Sequence, residues 1–199
     1  VNTIKQADAF TVPSRWVAQA FAYGMLKAPT VIHHGIDLAD WENTYKPLNY
    51  VLWNKARVDA VSDSADVIKL AALMPNTHFV STFGVPATNF RIIGRQPYQK
   101  HKQAIQQAGV YLATARETFG IGTLEALASG VPVAGWDYGG QSEIIIPGET
   151  GYLAPYGDYK VLSECVAKCF DERKRMSANC VADARARWGW QDKIEQYAN

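Results

Sequence analysis

Two glutamates eight residues apart, Glu117 and Glu125, flank a glycine-rich step, Phe119-Gly120-Ile121-Gly122. Carboxylates accept hydrogen bonds from hydroxyl groups. Glycines where a loop enters a helix let a ligand approach the backbone, and the free N–H groups with the helix dipole favour an anion. With Glu117 in the loop and Glu125 in the second helical turn, at about 1.5 Å of rise per residue, the two carboxylates reach different parts of one extended ligand. The chemistry this pattern predicts is hydroxyl recognition at two points, with an anion such as a diphosphate seated between them.

Such a loop needs a strand ending before it and a helix starting after it. Val110 to Ala113 reads as the strand, Ile121 to Ser129 as the helix and Pro132 to Ala134 as the next strand. Upstream the same alternation gives strand Tyr50 to Trp53, helix Asp63 to Leu73, a turn at Pro75-Asn76, strands His78 to Thr82 and Phe90 to Ile93, and helix Gln99 to Gln107. Strands alternating with helices of about ten residues predict an α/β fold: a doubly wound, Rossmann-like parallel sheet, covered on both faces, with its ligand beyond the carboxyl ends of the strands. Ahead of this unit, Ala9 to Val12 reads as a strand, Pro13-Ser14 as a helix entry, a helix runs to about Tyr23, and Thr30 to Ile32 is a second strand. The segment from His33 to Pro47 is the candidate hinge. From Tyr159 the tail is helical, broken near Trp188-Gly189-Trp190.

A chain of 199 residues suffices for one α/β domain with a core and is too short for two complete ones. Its 48% hydrophobic content fits a soluble globular chain, and no apolar run nears the roughly 20 residues of a spanning helix. Lys and Arg total 20 against 19 for Asp and Glu, which leaves no bulk field to hold nucleic acid or an anionic membrane. The start at Val1, with no signal-like stretch to Phe10, reads as a cut or processed piece. Cys165, Cys169 and Cys180 lie in a helical stretch without a CxxC pair or a His companion. They read as unpaired buried thiols of a reducing, cytoplasmic compartment.

From Thr114 to Gly140 the sequence is TARETFGIGTLEALASGVPVAGWDYGG, with Glu143 completing a G-G-x-x-E pattern. Together with E-x7-E at Glu117 and Glu125, the stretch resembles the retaining glycosyltransferases of the two-domain GT-B fold, in the group numbered family four. Ala9-Phe10 with Ser14, and Val31 to Asp37, look like that family's domain junction, and Pro147 to Leu153 looks like its DG-x-TG-x-L turn. The resemblance implies a C-terminal donor-binding domain at residues 43–199, preceded over 1–42 by the last strand and helix of an N-terminal domain plus the hinge. It implies a nucleoside-diphosphate sugar as ligand, bound without a metal or cofactor, and an acceptor held by the missing N-terminal domain. Glu125 would hold the ribose hydroxyls. Glu117 would hold the donor sugar and stand as the catalytic residue. The backbone from Phe119 through Gly120, Ile121, Gly122 and Thr123 would hold the phosphates and sugar, and Ile93-Gly94-Arg95 would lie against the base. The family's usual G-R and K-G cations are out of register in Leu52-Trp53-Asn54-Lys55-Ala56-Arg57; Lys55 and Arg57, at a strand end, are expected to take their role. That departure also leaves open a binding or regulatory module that has kept the fold and lost transfer.

Other features read as structural. His33 and His34 would point opposite ways on an extended segment, so hinge packing is expected of them, not a shared metal or a base. Trp188, Trp190 and Tyr197 are expected to dock a terminal helix, and Tyr98, Gln99 and Lys100 to Lys102 to form a solvated basic helix start. A nicotinamide-binding domain is disfavoured, since no G-x-G-x-x-G with an acidic residue about 20 positions on follows a first strand.

Overall fold

Four-residue apolar runs with no polar alternation form the centre of a parallel sheet, because such strands are buried on both faces. A computed structural model describes residues 6–24, 28–41, 46–55 and 61–198. Its main sheet has six parallel strands: β3 (Tyr50–Trp53), β4 (His78–Ser81), β5 (Phe90–Ile92), β6 (Val110–Ala113), β7 (Val133–Trp136) and β8 (Gly151–Ala154), in the order β5-β4-β3-β6-β7-β8. The order reverses direction between β3 and β6. That is the doubly wound arrangement, and its ligand crevice lies beyond the carboxyl ends of those two strands.

Side-chain alternation sorts the core into two layers. Leu52, Tyr111 and Val133 point to one face, where α3 (Tyr98–Gln106) and α4 (Ile121–Ala128) cover them with Ile105, Leu124 and Leu127. Val51, Trp53, Val110, Leu112 and Trp136 point to the other, under α2 (Ala65–Leu73) with Val67 and Leu70. The long helix α5 (Tyr159–Arg187), started by Asp158 accepting from the Val161 amide at 3.0 Å, serves both layers. Leu162, Cys165, Val166 and Cys169 join the second layer, and Cys180 and Ala184 join the first. All three cysteines are free and buried, and burial pushes the Cys169 and Cys180 thiols well up. A short helix, α6 (Trp190–Ala198), follows α5.

The amino-terminal segment makes a separate two-stranded parallel sheet, β1 (Thr11–Val12) with β2 (Thr30–Val31), joined through α1 (Arg15–Ala22). Ser14 caps α1, its hydroxyl accepting from the Val17 amide at 3.1 Å. The following stretch packs back onto the main unit: Ile36 bridges to Gly189, its amide donating to the Trp188 carbonyl at 2.8 Å, and Trp41 is buried.

β7 continues to Trp136 instead of ending at Ala134, since Gly135 and Trp136 still pair with β8. The stretch Pro147 to Leu153, expected as a turn, is a turn only at its start; from Gly151 it becomes the edge strand β8. Gly151 hides the strand in sequence because it carries little β-propensity, yet a Cβ there would collide with the backbone of Val133. Only glycine permits that pairing distance.

Candidate functional site

The loops after β3 and β6 meet at the point where the strand order reverses. After β3, the Lys55 amide donates to the Thr82 hydroxyl at 2.9 Å, and that hydroxyl donates to the Lys55 carbonyl at 2.5 Å. Thr82, just past β4, thereby fixes the backbone from which the lysine projects. Lys55 is 8% exposed, and its Nζ meets Glu117 Oε1 at 2.5 Å.

After β6, the loop carrying Glu117 is braced by the G-G-x-x-E segment. Gly140 donates to the Glu117 carbonyl at 3.1 Å, and Gln141, in a 3-10 turn over Gly140–Glu143, donates to the Ala113 carbonyl at 2.7 Å. Gly139 has φ +78°, and a Cβ on it would stand 2.6 Å from the Glu117 carbonyl oxygen. The two glycines are what allow that segment to lie against the loop. Gly120 enters α4 with φ +118°, a conformation that a side chain would strain, and Gly122 sits directly over the buried Tyr111 hydroxyl.

Glu125, one turn into α4, is largely buried. Desolvation first, then the neighbouring Glu117 and Asp40, raises its carboxyl to about 7, against a smaller opposing pull from Lys55. The nearest cationic candidate on α3, His101, stands 4.0 Å away, and burial lowers its own pKa. A buried carboxyl with so little compensation, in a cleft beside an ion pair, is a functional-site signature.

Lys55, Arg95, Glu117, Ile121, Gly122 and Glu125 line one cleft of about 460 Å³. A second lobe of about 490 Å³ shares Lys55, Glu117, Ile121 and Gly122 and adds Phe119 and Gly120. The volumes are those of small-ligand sites. Of the remaining expected residues, Thr123 is buried beneath Gly120, its amide donating to the Gly120 carbonyl. Ile93 and Gly94 do not line the cleft: the Ile93 amide donates to the Ser81 carbonyl at 2.8 Å, and the Gln96 side-chain amide donates to the Ile93 carbonyl at 2.5 Å. Arg57 lies outside the described residues.

Sequence reasoning missed Asn54, Thr82, Phe83, Gln96, His101 and Tyr111, which also line the cleft. Asn54 and Thr82 immediately follow strands, a position that could have marked them. The others reach the cleft from loops, a neighbouring helix and the strand interior.

Two structural expectations are refined. His33 and His34 pack in the hinge and line different clefts as expected, but their rings share one neighbour: both contact Phe119, at centroid distances of 5.6 and 5.4 Å, because residues 32–35 are not in a strand and strict alternation does not apply. His34 lines the second lobe, while His33 Nε2 meets Glu143 Oε2 at 3.1 Å. Glu143 also accepts from the amides of Arg15 at 3.1 Å and Trp16 at 2.9 Å, closing the free end of α1. The start of α3 is solvated at Tyr98, Gln99 and Lys100 as expected, but it is also tied down, since Tyr98 donates to Asp40 and Lys102 Nζ meets Asp40 Oδ1 at 2.9 Å.

Sheet order, helix placement and a cleft at the switch point define a Rossmann-like, doubly wound α/β domain. The chain belongs to the family described as Glycosyl transferases group 1, whose model matches residues 86–187, just over half of it. It is similar, at 32% identity over 122 residues, to the GDP-mannose-dependent monoacylated alpha-(1-6)-phosphatidylinositol monomannoside mannosyltransferase of Corynebacterium glutamicum, covering 56% of this chain and 32% of that one. Over 84 residues it is 39% identical to the lipopolysaccharide core biosynthesis mannosyltransferase LpsB of Rhizobium meliloti, covering 41% of this chain and 24% of the relative. Among solved structures, Anabaena Alr3699/HepE in complex with UDP-glucose superposes with a TM-score of 0.84 at 18% identity, covering 100% of this chain and 65% of that one. That likeness places the fold with the C-terminal halves of GT-B glycosyltransferases. The aligned stretches thus span about a third or less of these curated relatives.

Proposed function

We propose that the chain is the donor-binding part of a retaining glycosyltransferase that moves a hexose from a nucleoside-diphosphate sugar to a sugar, lipid or protein acceptor. The convergence of Lys55, Glu117 and Glu125 on one cleft at the start of α4 carries this reading. Glu125 accepts from the ribose hydroxyls. Glu117, at the junction of the two lobes, holds the donor sugar and is the catalytic residue of this chain. Lys55, with Arg57 as second cation, and the backbone of Phe119 to Gly122 take the diphosphate. Stabilising that leaving group is electrostatic catalysis, in which donors fixed in advance meet charge as it develops, and it assigns charge neutralisation to side chains and helix N–H groups instead of a metal. The base lies toward Arg95 and Gln96, next to Ile93 and Gly94 in the chain. Residues 1–42 belong on this reading to a neighbouring domain that holds the acceptor. The protein would act in the cytoplasm; among the described residues no helix is long and apolar enough to cross a membrane.

The GDP-mannose dependence of one relative and the UDP-glucose bound in a structural neighbour make these the first donors to try. The rival reading is a non-catalytic module with a degenerate diphosphate site, favoured by the Lys55–Glu117 pair, which already commits the cation to a carboxylate. Calorimetric titration with UDP-, GDP- and ADP-sugars decides between them: a donor domain binds at least one, and a degenerate module binds none.

A further inference from the structure

A third cleft, of about 560 Å³, opens between the start of α1, the 3-10 turn and the α5–α6 junction. None of the residues lining it lines the donor cleft. On its wall lies Lys193, only 9% exposed. The one interaction its ammonium makes among the described residues is with the Trp188 ring, whose centroid is 5.5 Å away. That ring already carries a second cation, Arg187, at 4.6 Å. Arg187 has its counter-charge in Asp183, at 2.6 Å. Lys193 has none among the described residues, and a buried charge without a partner is costly.

The other charges in the cleft do not supply one. Glu143 spends its oxygens on the Arg15 and Trp16 amides and on His33. Asp192 is adjacent to Lys193 on α6, and neighbours in a helix do not face each other. The exposed Arg15 guanidinium lines the same cleft, so Arg15 and Lys193 stand there as two cations with no ion-pair partner among the described residues. The cleft is too large for a bare anion, and Asp192 with Gln196 adds groups that bond hydroxyls.

We propose that this cleft binds a phosphate group carried on a small polyol, with Lys193 and Arg15 on the phosphate and Asp192 and Gln196 on the hydroxyls. The ligand would tie α1 to α6 at a site distinct from the donor cleft.

Calorimetry with glucose 6-phosphate, inorganic phosphate and glucose, together with flotation on phosphatidylglycerol and phosphatidylcholine vesicles, tests this on the intact chain. Glucose 6-phosphate should bind, inorganic phosphate more weakly and glucose not at all. Lys193→Gln and Arg15→Gln should each weaken binding about tenfold or more, as expected for a lost charged hydrogen bond, and Lys193→Arg should restore most of it. UDP affinity should be unchanged in all three. Should Lys193→Gln fail to fold, the exposed Arg15→Gln carries the test alone. Lys193-dependent binding to phosphatidylglycerol vesicles without binding of glucose 6-phosphate would assign the phosphate to a lipid headgroup. No binding of either, binding indifferent to both substitutions, or displacement by UDP would overturn the proposal.

Discussion

The two glutamates of the cleft differ in what surrounds them, and their substitution should separate. Glu117 is paired with Lys55, while Glu125 is buried without a cation in contact. Glu125→Ala is expected to weaken binding of the nucleoside diphosphate itself, and Glu117→Ala only that of the sugar-bearing donor, each by about 1.5–3 kcal/mol for a lost charged hydrogen bond. Titration of both variants with UDP and UDP-glucose, or GDP and GDP-mannose, checks this; equal losses on the bare diphosphate would reject the assignment. The buried carboxyl also has a stability signature. Its folded pKa of about 7 lies above the ordinary value of 4.5, so between those pH values the folded chain binds a proton that the unfolded chain has released. That contribution is complete below pH 4.5 and disappears as pH rises through 7. Its full extent is roughly 3 kcal/mol. Urea midpoints from pH 5 to 8 should therefore fall more steeply for the wild type than for Glu125→Gln. Parallel pH dependences would mean that the carboxyl is better solvated than the cleft suggests.

At the level of elements, the close contact between α4 and β6 has a specific test. A methyl at Gly122 would collide with the Tyr111 hydroxyl, whereas Tyr111 gains from that hydroxyl only a 3.5 Å contact with the Asn54 carbonyl. Gly122→Ala is expected to cost about 1–3 kcal/mol as an overpacked site. Adding Tyr111→Phe should recover much of that loss, a coupling measurable as a double-mutant cycle in denaturant. Glu143 joins elements in another way, holding the first amides of α1 from the 3-10 turn. Its replacement by Ala should speed amide exchange across Arg15–Ala22 while leaving β6 and β7 protected. Uniform protection in the variant would show that Ser14, through the Val17 amide and the Thr118 carbonyl, holds the helix unaided.

For the molecule as a whole, binding and transfer should come apart. The sheet, both core layers and the donor cleft are built from this chain, so the polypeptide should fold alone and gain stability from its nucleotide. At 100 times the dissociation constant the gain is about 2.7 kcal/mol, visible as a rise in melting temperature. Glycosyl transfer by the same polypeptide is expected to be absent with any acceptor. Positioning of the acceptor against the donor, worth roughly 7–11 kcal/mol of barrier, is assigned above to a neighbouring domain. Multiple turnover in a transfer assay with donor and a sugar panel would show that this chain positions the acceptor by itself.

The sequence by itself determined the repeating strand–helix order, the parallel sheet and the E-x7-E loop, because these depend on local signals. Unbroken apolar runs such as Val110 to Ala113 and the glycines of Gly120 to Gly122 state their role within a few residues. It could not show β8, whose leading glycine is explained only by the backbone of Val133 across the sheet. Nor could it show that the two histidines share Phe119, that Glu143 closes a helix 127 residues away, or that Lys55 and Glu117, 62 residues apart, form a pair. Local geometry follows from neighbouring residues. Which side chains meet in a cleft follows from the strand order β5-β4-β3-β6-β7-β8, and that order is fixed by packing between segments distant in the chain.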